Sequence, residues 1–212
     1  MTIIRSEREA HAFVAARCAA IDLERLDRFC SALVAESETQ NLISRATMGT
    51  MWQRHIADSA QLLDYVPRET AGVWMDLGSG AGLPGLVIAI MRPSQCCMLV
   101  ESRNLRIQWL NRMIDSLAIT NCQVLGADIR RIETVEADVI SARAFAPLAR
   151  LVGQSARFST TATRWLLPKG RSAAQEVAML PPKIRSMFHV KQSMTDEHAG
   201  IVVGNGQVVG SA

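Results

Sequence analysis

Apolar residues along the chain recur with two different spacings, and the change between them falls near residue 70. Before it, Leu23, Leu26, Phe29, Cys30, Leu33 and Val34 return every three or four positions, as on one face of a helix, with Asp22 placed to cap the start. A second run through Trp52, His55, Ile56, Ser59, Leu62 and Leu63 has the same period, and Pro67 marks where it has ended. Beyond Gly72, short apolar runs alternate with helix-length stretches, the signature of a parallel sheet covered by helices. Strands are expected over 73–77, 97–101, 122–125, 137–141 and 164–167, with helices over 84–91 and 104–117. Residues 187–192 and 200–203 are expected to add a hairpin. The pattern predicts an α/β fold in which a seven-stranded, mostly parallel sheet (71–212) carries an N-terminal helical cap (1–70).

At 212 residues and 49% hydrophobic, the chain can bury one substantial core, so a single active site is expected. No apolar run approaches the roughly 20 residues needed to cross a bilayer. The first positions are charged where a secretory signal would be apolar, so a cytoplasmic protein without a membrane partner is expected. Cys18, Cys30, Cys96, Cys97 and Cys122 lie in apolar contexts without C-x-x-C spacing and read as reduced core residues. The four histidines are scattered as well, so no metal is expected. The net charge of +3 is unevenly spread: 8 basic and 10 acidic residues through position 70, 15 and 10 afterwards. That excess makes a polyanion such as RNA a candidate partner of the sheet region, with a merely basic solvated surface as the alternative.

The first strand runs into Asp76-Leu77-Gly78-Ser79-Gly80-Ala81-Gly82. In an open parallel sheet such a turn brings main-chain amides to a ligand beyond the strand ends, and glycines let it tighten and let the ligand approach. A literal G-x-G-x-x-G at Gly80, Gly82 and Gly85 admits a nicotinamide cofactor, but that motif alone is weak. Asp76 two residues before Gly78 gives the D-x-G-x-G form associated with S-adenosylmethionine. Asp76 reads equally as an acceptor for the turn's own amides. Glu101, ending the second strand, is placed to accept ribose hydroxyls of either nucleoside, or is a strand-end charge facing water. Residues 128–131 follow the third strand, where Ile129 would pack on an adenine ring and amides read its edge, or form a surface turn.

Residues 54–59 (RHIADS), 76–85 (DLGSGAGLPG), 141–146 (SARAFA) and 167–170 (LPKG) occur together and in order, and this set resembles the GidB/RsmG family. The resemblance spans 41–169 and implies a Rossmann-like, S-adenosylmethionine-dependent methyltransferase that modifies N7 of a guanine in 16S ribosomal RNA. It implies cofactor contacts at Gly78, Leu83, Ile129, Arg130 and Arg143, beside Asp76 and Gly80 from the turn itself and Glu101 from the end of the second strand. Three departures stand out. Family members often carry an acidic residue at the place of Arg130, which favours a main-chain contact there, Ser141-Ala142-Arg143 is a variant of a tighter Ser-Arg pair, and residues 204–212 lack a recognisable basic finish.

Guanine N7 has a lone pair and no proton to lose, so alignment with the sulfonium matters more than a general base, and no catalytic residue is assigned. Arg143 is expected near the cofactor carboxylate or a substrate phosphate, since a hydrogen bond to N7 would block the reaction. Arg54, His55 and Lys169 are candidates for RNA contact. Their alternatives are an Arg54–Asp58 surface pair beside a packed histidine, and an ordinary turn lysine. Trp52, Trp74, Trp109 and Trp165 fall in apolar patterns and read as core. The rival functions are a small-molecule methyltransferase and a non-catalytic, nucleoside-sensing RNA-binding module. The expected partner is 16S RNA or the small-subunit particle, and the expected state is a monomer.

Overall fold

The computed structural model describes residues 3–209. In the cap, α1 (Glu7–Ala15) and α2 (Ala20–Ser37) are followed by a 3-10 turn, Arg45–Thr50. A continuous helical stretch then changes its winding, being π-helical over Trp52–Ala57, α-helical over Asp58–Ala60 (α3) and 3-10 over Gln61–Tyr65. The sheet region runs β1 (Val73–Leu77), α4 (Gly85–Met91), β2 (Cys96–Val100), α5 (Asn104–Ser116), β3 (Cys122–Leu125) and β4 (Ala137–Ser141). It continues with α6 (Leu148–Ser155), β5 (Ser159–Lys169), α7 (Ala173–Ala178), α8 (Pro182–Arg185), β6 (Phe188–Gln192) and β7 (Gly200–Asn205).

The seven strands lie in the order β3-β2-β1-β4-β5-β7-β6. All neighbours up to β5 are parallel, and β7 is antiparallel to both β5 and β6. This is the mostly parallel seven-stranded sheet that the apolar runs predict. The chain leaves β1 in one direction and returns to its other side with β4, so the crevice for a ligand opens beyond the carboxyl ends of those two strands.

Alternation along the strands feeds two apolar layers. Trp74, Leu99, Val139 and Leu166 face one side, where they join α4, Trp109 of α5 and the cap residues Leu26, Phe29, Leu33, Ile56 and Leu62. Met75, Leu77, Ile140 and Leu167 face the other, against Leu148, Leu151 and Val152 of α6. The cap therefore shares its core with one face of the sheet. Trp74, Trp109 and Trp165 are fully buried, as expected, while Trp52 is half-buried against the His11 ring at 4.4 Å.

Several local expectations need correction. Asp22 does not cap α2: the helix begins at Ala20 with Ala19 at its N-cap, and Asp22 is buried in the first turn beside Arg25 at 3.3 Å. There the carboxylate meets the positive helix end from inside. Helix α1 carries a signal the apolar pattern hides, because Ser6 accepts from the Glu9 amide and Glu9 accepts from the Arg5 amide, both near the helix start. β5 is longer than 164–167, and α6, α7 and α8 are additional. All five cysteines are free, but Cys96, the first residue of β2, is exposed where a core position was expected. Residues 210–212, the end of the tail that lacks basic residues, lie outside the described residues. No described helix is long and apolar enough to cross a membrane.

Candidate active site

The turn after β1 is held from below by one carboxylate. Asp76 is fully buried; its Oδ1 accepts from the Ser141 hydroxyl at 2.7 Å and its Oδ2 from the Gly85 amide at 3.2 Å. The second bond satisfies an amide at the start of α4 that has no partner within the helix. Trp74 Nε1 donates to the same Ser141 oxygen at 2.9 Å, so β1 and β4 are tied together beneath the turn. Burial pushes the Asp76 carboxyl up to about 6, against hydrogen bonds from Ser141, Ser79 and Gly85 that favour its charge. Asp76 thus serves the turn and does not line the crevice.

Above it, Gly78 and Gly80 adopt φ of +67° and +55°, the left-handed region that favours glycine. A Cβ at Gly78 would strike the Phe145 ring. The Gly78 and Ser79 amides donate to Val100 O, and the Gly80 amide donates to Glu101 Oε2 at 3.0 Å. Leu83 is buried behind the turn. Glu101, itself buried, accepts the Ser102 and Arg103 amides on Oε1 at 2.7 and 2.9 Å, which leaves its remaining acceptor capacity on Oε2.

Gly78, Glu101, Ile129 and Arg130 border one cavity of about 270 Å³. The Arg130 amide and guanidinium are both held by Asp128, which keeps that side chain at the rim. The same cavity is lined by Arg106, Phe145, Arg150 and Gln154, to which sequence reasoning gave no role. Arg150 and Gln154 stand four residues apart on α6, a spacing that would have revealed them had that helix been expected.

Arg54, His55, Arg143 and Lys169 border a second, larger cavity of about 580 Å³. Arg143 lines this space and not the first. Arg54 does not pair with Asp58; its Nη1 reaches Asp196 at 2.8 Å, while Asp58 pairs with Arg143 at 3.4 Å. The π-helical winding of this segment undoes the i, i+4 facing that an α-helix would give. The segment starts under a clamp, since Glu7 accepts the Trp52 and Gln53 amides at 2.9 and 2.8 Å. Burial, then the charges of Arg143 and Arg54, push the His55 imidazole down to about 3. Lys169 Nζ is largely buried and donates to Ala146 O at 2.8 Å and Glu176 at 3.0 Å. Glu176 also accepts the Leu148 amide and the Ser172 hydroxyl, so Lys169 fastens the loop after β4 to α7.

Ala144, Phe145 and Ala146 line both cavities and form the wall between them. Ala144 has φ of +53°, uncommon for a residue with a Cβ. Among the described residues no group of His, Cys, Asp or Glu side chains is arranged to hold a metal ion.

The family model described as "rRNA small subunit methyltransferase G" (GidB) matches residues 22–202. A relative in Erythrobacter litoralis, named Ribosomal RNA small subunit methyltransferase G, is 55% identical over 205 residues, covering 97% of this chain and 99% of its own. One of the same name in Sphingopyxis alaskensis is 53% identical over 186 residues, covering 87% and 78%. Among solved structures, the mitomycin 7-O-methyltransferase MmcR superposes with a TM-score of 0.60 at 14% identity, over 84% of this chain and 60% of that one. That likeness concerns the fold.

Proposed function

The chain belongs to the GidB family of small-subunit ribosomal RNA methyltransferases, and on that premise we propose that it transfers the methyl group of S-adenosylmethionine to N7 of a guanine in 16S ribosomal RNA. The observation that carries this reading is the wall of three residues, 144–146, shared by a nucleoside-sized cavity and a larger one. Cavities that share these residues are immediate neighbours, and for transfer the N7 lone pair must reach the sulfonium methyl directly past their edge, in line with the S–C bond that breaks.

The smaller cavity suits the cofactor, which supplies an electrophilic methyl on a sulfonium. Glu101 Oε2 accepts from ribose, Ile129 covers a face of adenine, and the main chain at Gly78 and Arg130 completes the contacts. Asp76, Gly80 and Leu83 act from behind by holding the turn in shape. The larger cavity suits the acceptor guanine, whose N7 lone pair attacks without losing a proton. In keeping with that chemistry, His55 is held neutral by burial and by the Arg143 and Arg54 charges and is not needed as a base. The helical cap supplies the outer jaw of that cavity through Thr47, Arg54, His55 and Asp58, and the sheet region is the transferring core. The protein acts as a monomer in the cytoplasm, on 16S RNA or the small-subunit particle.

The test is transfer of tritiated methyl from S-adenosylmethionine to small subunits, free 16S RNA and a metabolite pool, all from cells lacking the gene. Label in 16S RNA that directs borohydride and aniline cleavage at one guanine is the expected result. Label confined to small molecules, or to an RNA position resistant to that cleavage, overturns the reading.

A further inference from the structure

Resting on that reading of the larger cavity as the RNA side, we propose that Arg150 and Arg171 hold the phosphate backbone of the RNA strand that delivers the acceptor guanine, along a line from the larger cavity to the rim of the cofactor cavity.

The charges around the two cavities do not balance in the same way. In the larger one, three acids and three cations pair off: Arg54 with Asp196, Lys169 with Glu176 and Arg143 with Asp58. In the smaller one, Asp128 is held by Arg130 and Glu101 faces Arg106 at 3.9 Å, which leaves Arg103 and Arg150 without a carboxylate. S-adenosylmethionine is itself a net cation, with a sulfonium and an ammonium against one carboxylate. Two unmatched positive charges beside it do not assist its binding as a whole, so an anion other than the cofactor is the better match for them.

The two differ in place. Arg103 follows Glu101 by two residues and its amide is held by that carboxylate at 2.9 Å, so it stands at the ribose end. Arg150 lies in the first turn of α6, four residues past the wall residue Ala146, and is exposed. Its guanidinium makes no hydrogen bond or ion pair among the described residues. A free planar fork of N–H donors at a rim suits phosphate oxygens, which it can meet two at a time.

A second free cation stands beside it. Arg171 is exposed, has no side-chain partner among the described residues, and sits between Gly170 and Ser172, which both line the larger cavity. Glu176 brings the two arginines to one rim, because it accepts the Leu148 amide at 2.7 Å and the Ser172 hydroxyl at 2.8 Å. Arg150 is two residues beyond the first of these donors and Arg171 is next to the second. Lys169 neutralises Glu176, so the carboxylate that assembles the rim does not repel an anion there. Two free cations on separate elements, bordering different cavities, fit a polyanion that spans both, and the RNA strand is the polyanion that must enter the larger one.

The test is the salt dependence of binding to whichever of small subunits and free 16S RNA accepts the methyl group, with S-adenosylmethionine affinity measured by calorimetry. Arg150→Gln and Arg171→Gln are each expected to weaken RNA binding by about tenfold. Each should lower the slope of log affinity against log salt by about 0.7, one phosphate contact, and the double variant by about twice that. S-adenosylmethionine affinity is expected not to fall in Arg150→Gln, since a like charge has been taken away from a cationic ligand. Arg68→Gln changes an exposed cation that precedes β1, at the opposite end of the sheet, and should leave RNA binding as in the parent. Unchanged slopes in the rim variants overturn the inference. So does an equal change in Arg68→Gln, which would mean a diffuse basic surface, or a tenfold loss of S-adenosylmethionine affinity in Arg150→Gln, which would mean a contact to the cofactor carboxylate. If neither substrate form accepts methyl, the proposed function falls instead, and filter binding of free 16S RNA judges the two arginines by the same slopes.

Discussion

The Ser141 hydroxyl donates to Asp76 Oδ1 across 2.7 Å, joining the last residue of β4 to β1 directly beneath the glycine turn. The two residues are register partners in the parallel pair, so the bond is built into the strand alignment. A carboxylate buried for this purpose resists ionisation, and its charge becomes a measurable property of the fold.

With its folded value raised from 3.8 to about 6, Asp76 favours the folded chain at low pH, and that contribution is lost as pH rises through about 6. Asp76→Asn has no proton to lose. Relative to the parent, the variant is expected to gain on the order of 3 kcal/mol between about pH 4 and pH 7. Urea unfolding at both ends of that range checks it, and a parent-to-variant difference independent of pH sinks the assignment.

Gly78→Ala would add a methyl group in a left-handed backbone position, directed at the Phe145 ring. Backbone strain there costs about 1 kcal/mol or more, and Phe145 must move at the wall between the cavities. S-adenosylhomocysteine affinity measured by calorimetry is expected to fall by at least about tenfold, a loss of about 1.4 kcal/mol. Unchanged affinity would show that the turn does not face the cofactor.

Much of this site can be read along the chain, and the remainder depends on distant partners. Strands β1 to β4 follow from short apolar runs, and the glycine turn from its local spelling. The role of Asp76 as an acceptor for the turn's amides is a local property too, since Gly85 is nine residues away. Arg54 is different: its partner is 142 residues distant, and the π-helical winding removes the i, i+4 geometry on which an Arg54–Asp58 pair relied. Phe145 lies within a recognisable segment, but only the meeting of two cavities at its ring gives it meaning. Helices α6 to α8 are short, and four residues of α8 or six of α7 complete too few turns to impose a period.

Glu176 gathers three donors, from Lys169, Ser172 and the Leu148 amide, and these outweigh its burial to hold the carboxyl below the usual range. Glu176→Ala leaves the largely buried Lys169 ammonium without its counter-charge and the start of α6 without an acceptor. A loss of about 2 to 4 kcal/mol in chemical unfolding is expected. Lys169→Met in the same background should restore part of it, because the stranded charge is then gone. If the double variant is no more stable than Glu176→Ala, the ammonium is not what the carboxylate was needed for.

His55 supplies the opposite pH dependence from Asp76. Its imidazole is lowered from 6.5 to about 3 by burial and by the Arg143 and Arg54 charges, with Asp58 already engaged by Arg143. The unfolded chain takes up a proton below about pH 6.5 while the folded chain does not, so the stability this ring contributes is present above that pH and lost as pH falls. Between about pH 6.5 and pH 5 the loss is about 2 kcal/mol. His55→Asn cannot take up that proton, so its stability should decline less over the same interval, by about that amount, in urea unfolding at the two pH values. Because Asp76 and His55 oppose each other across this range, the parent conceals both effects, and Asp76→Asn should steepen the acid decline that His55→Asn relieves. Parallel pH curves for parent and His55→Asn would mean that the ring is protonated in the folded chain, where it would have no lone pair for Arg143.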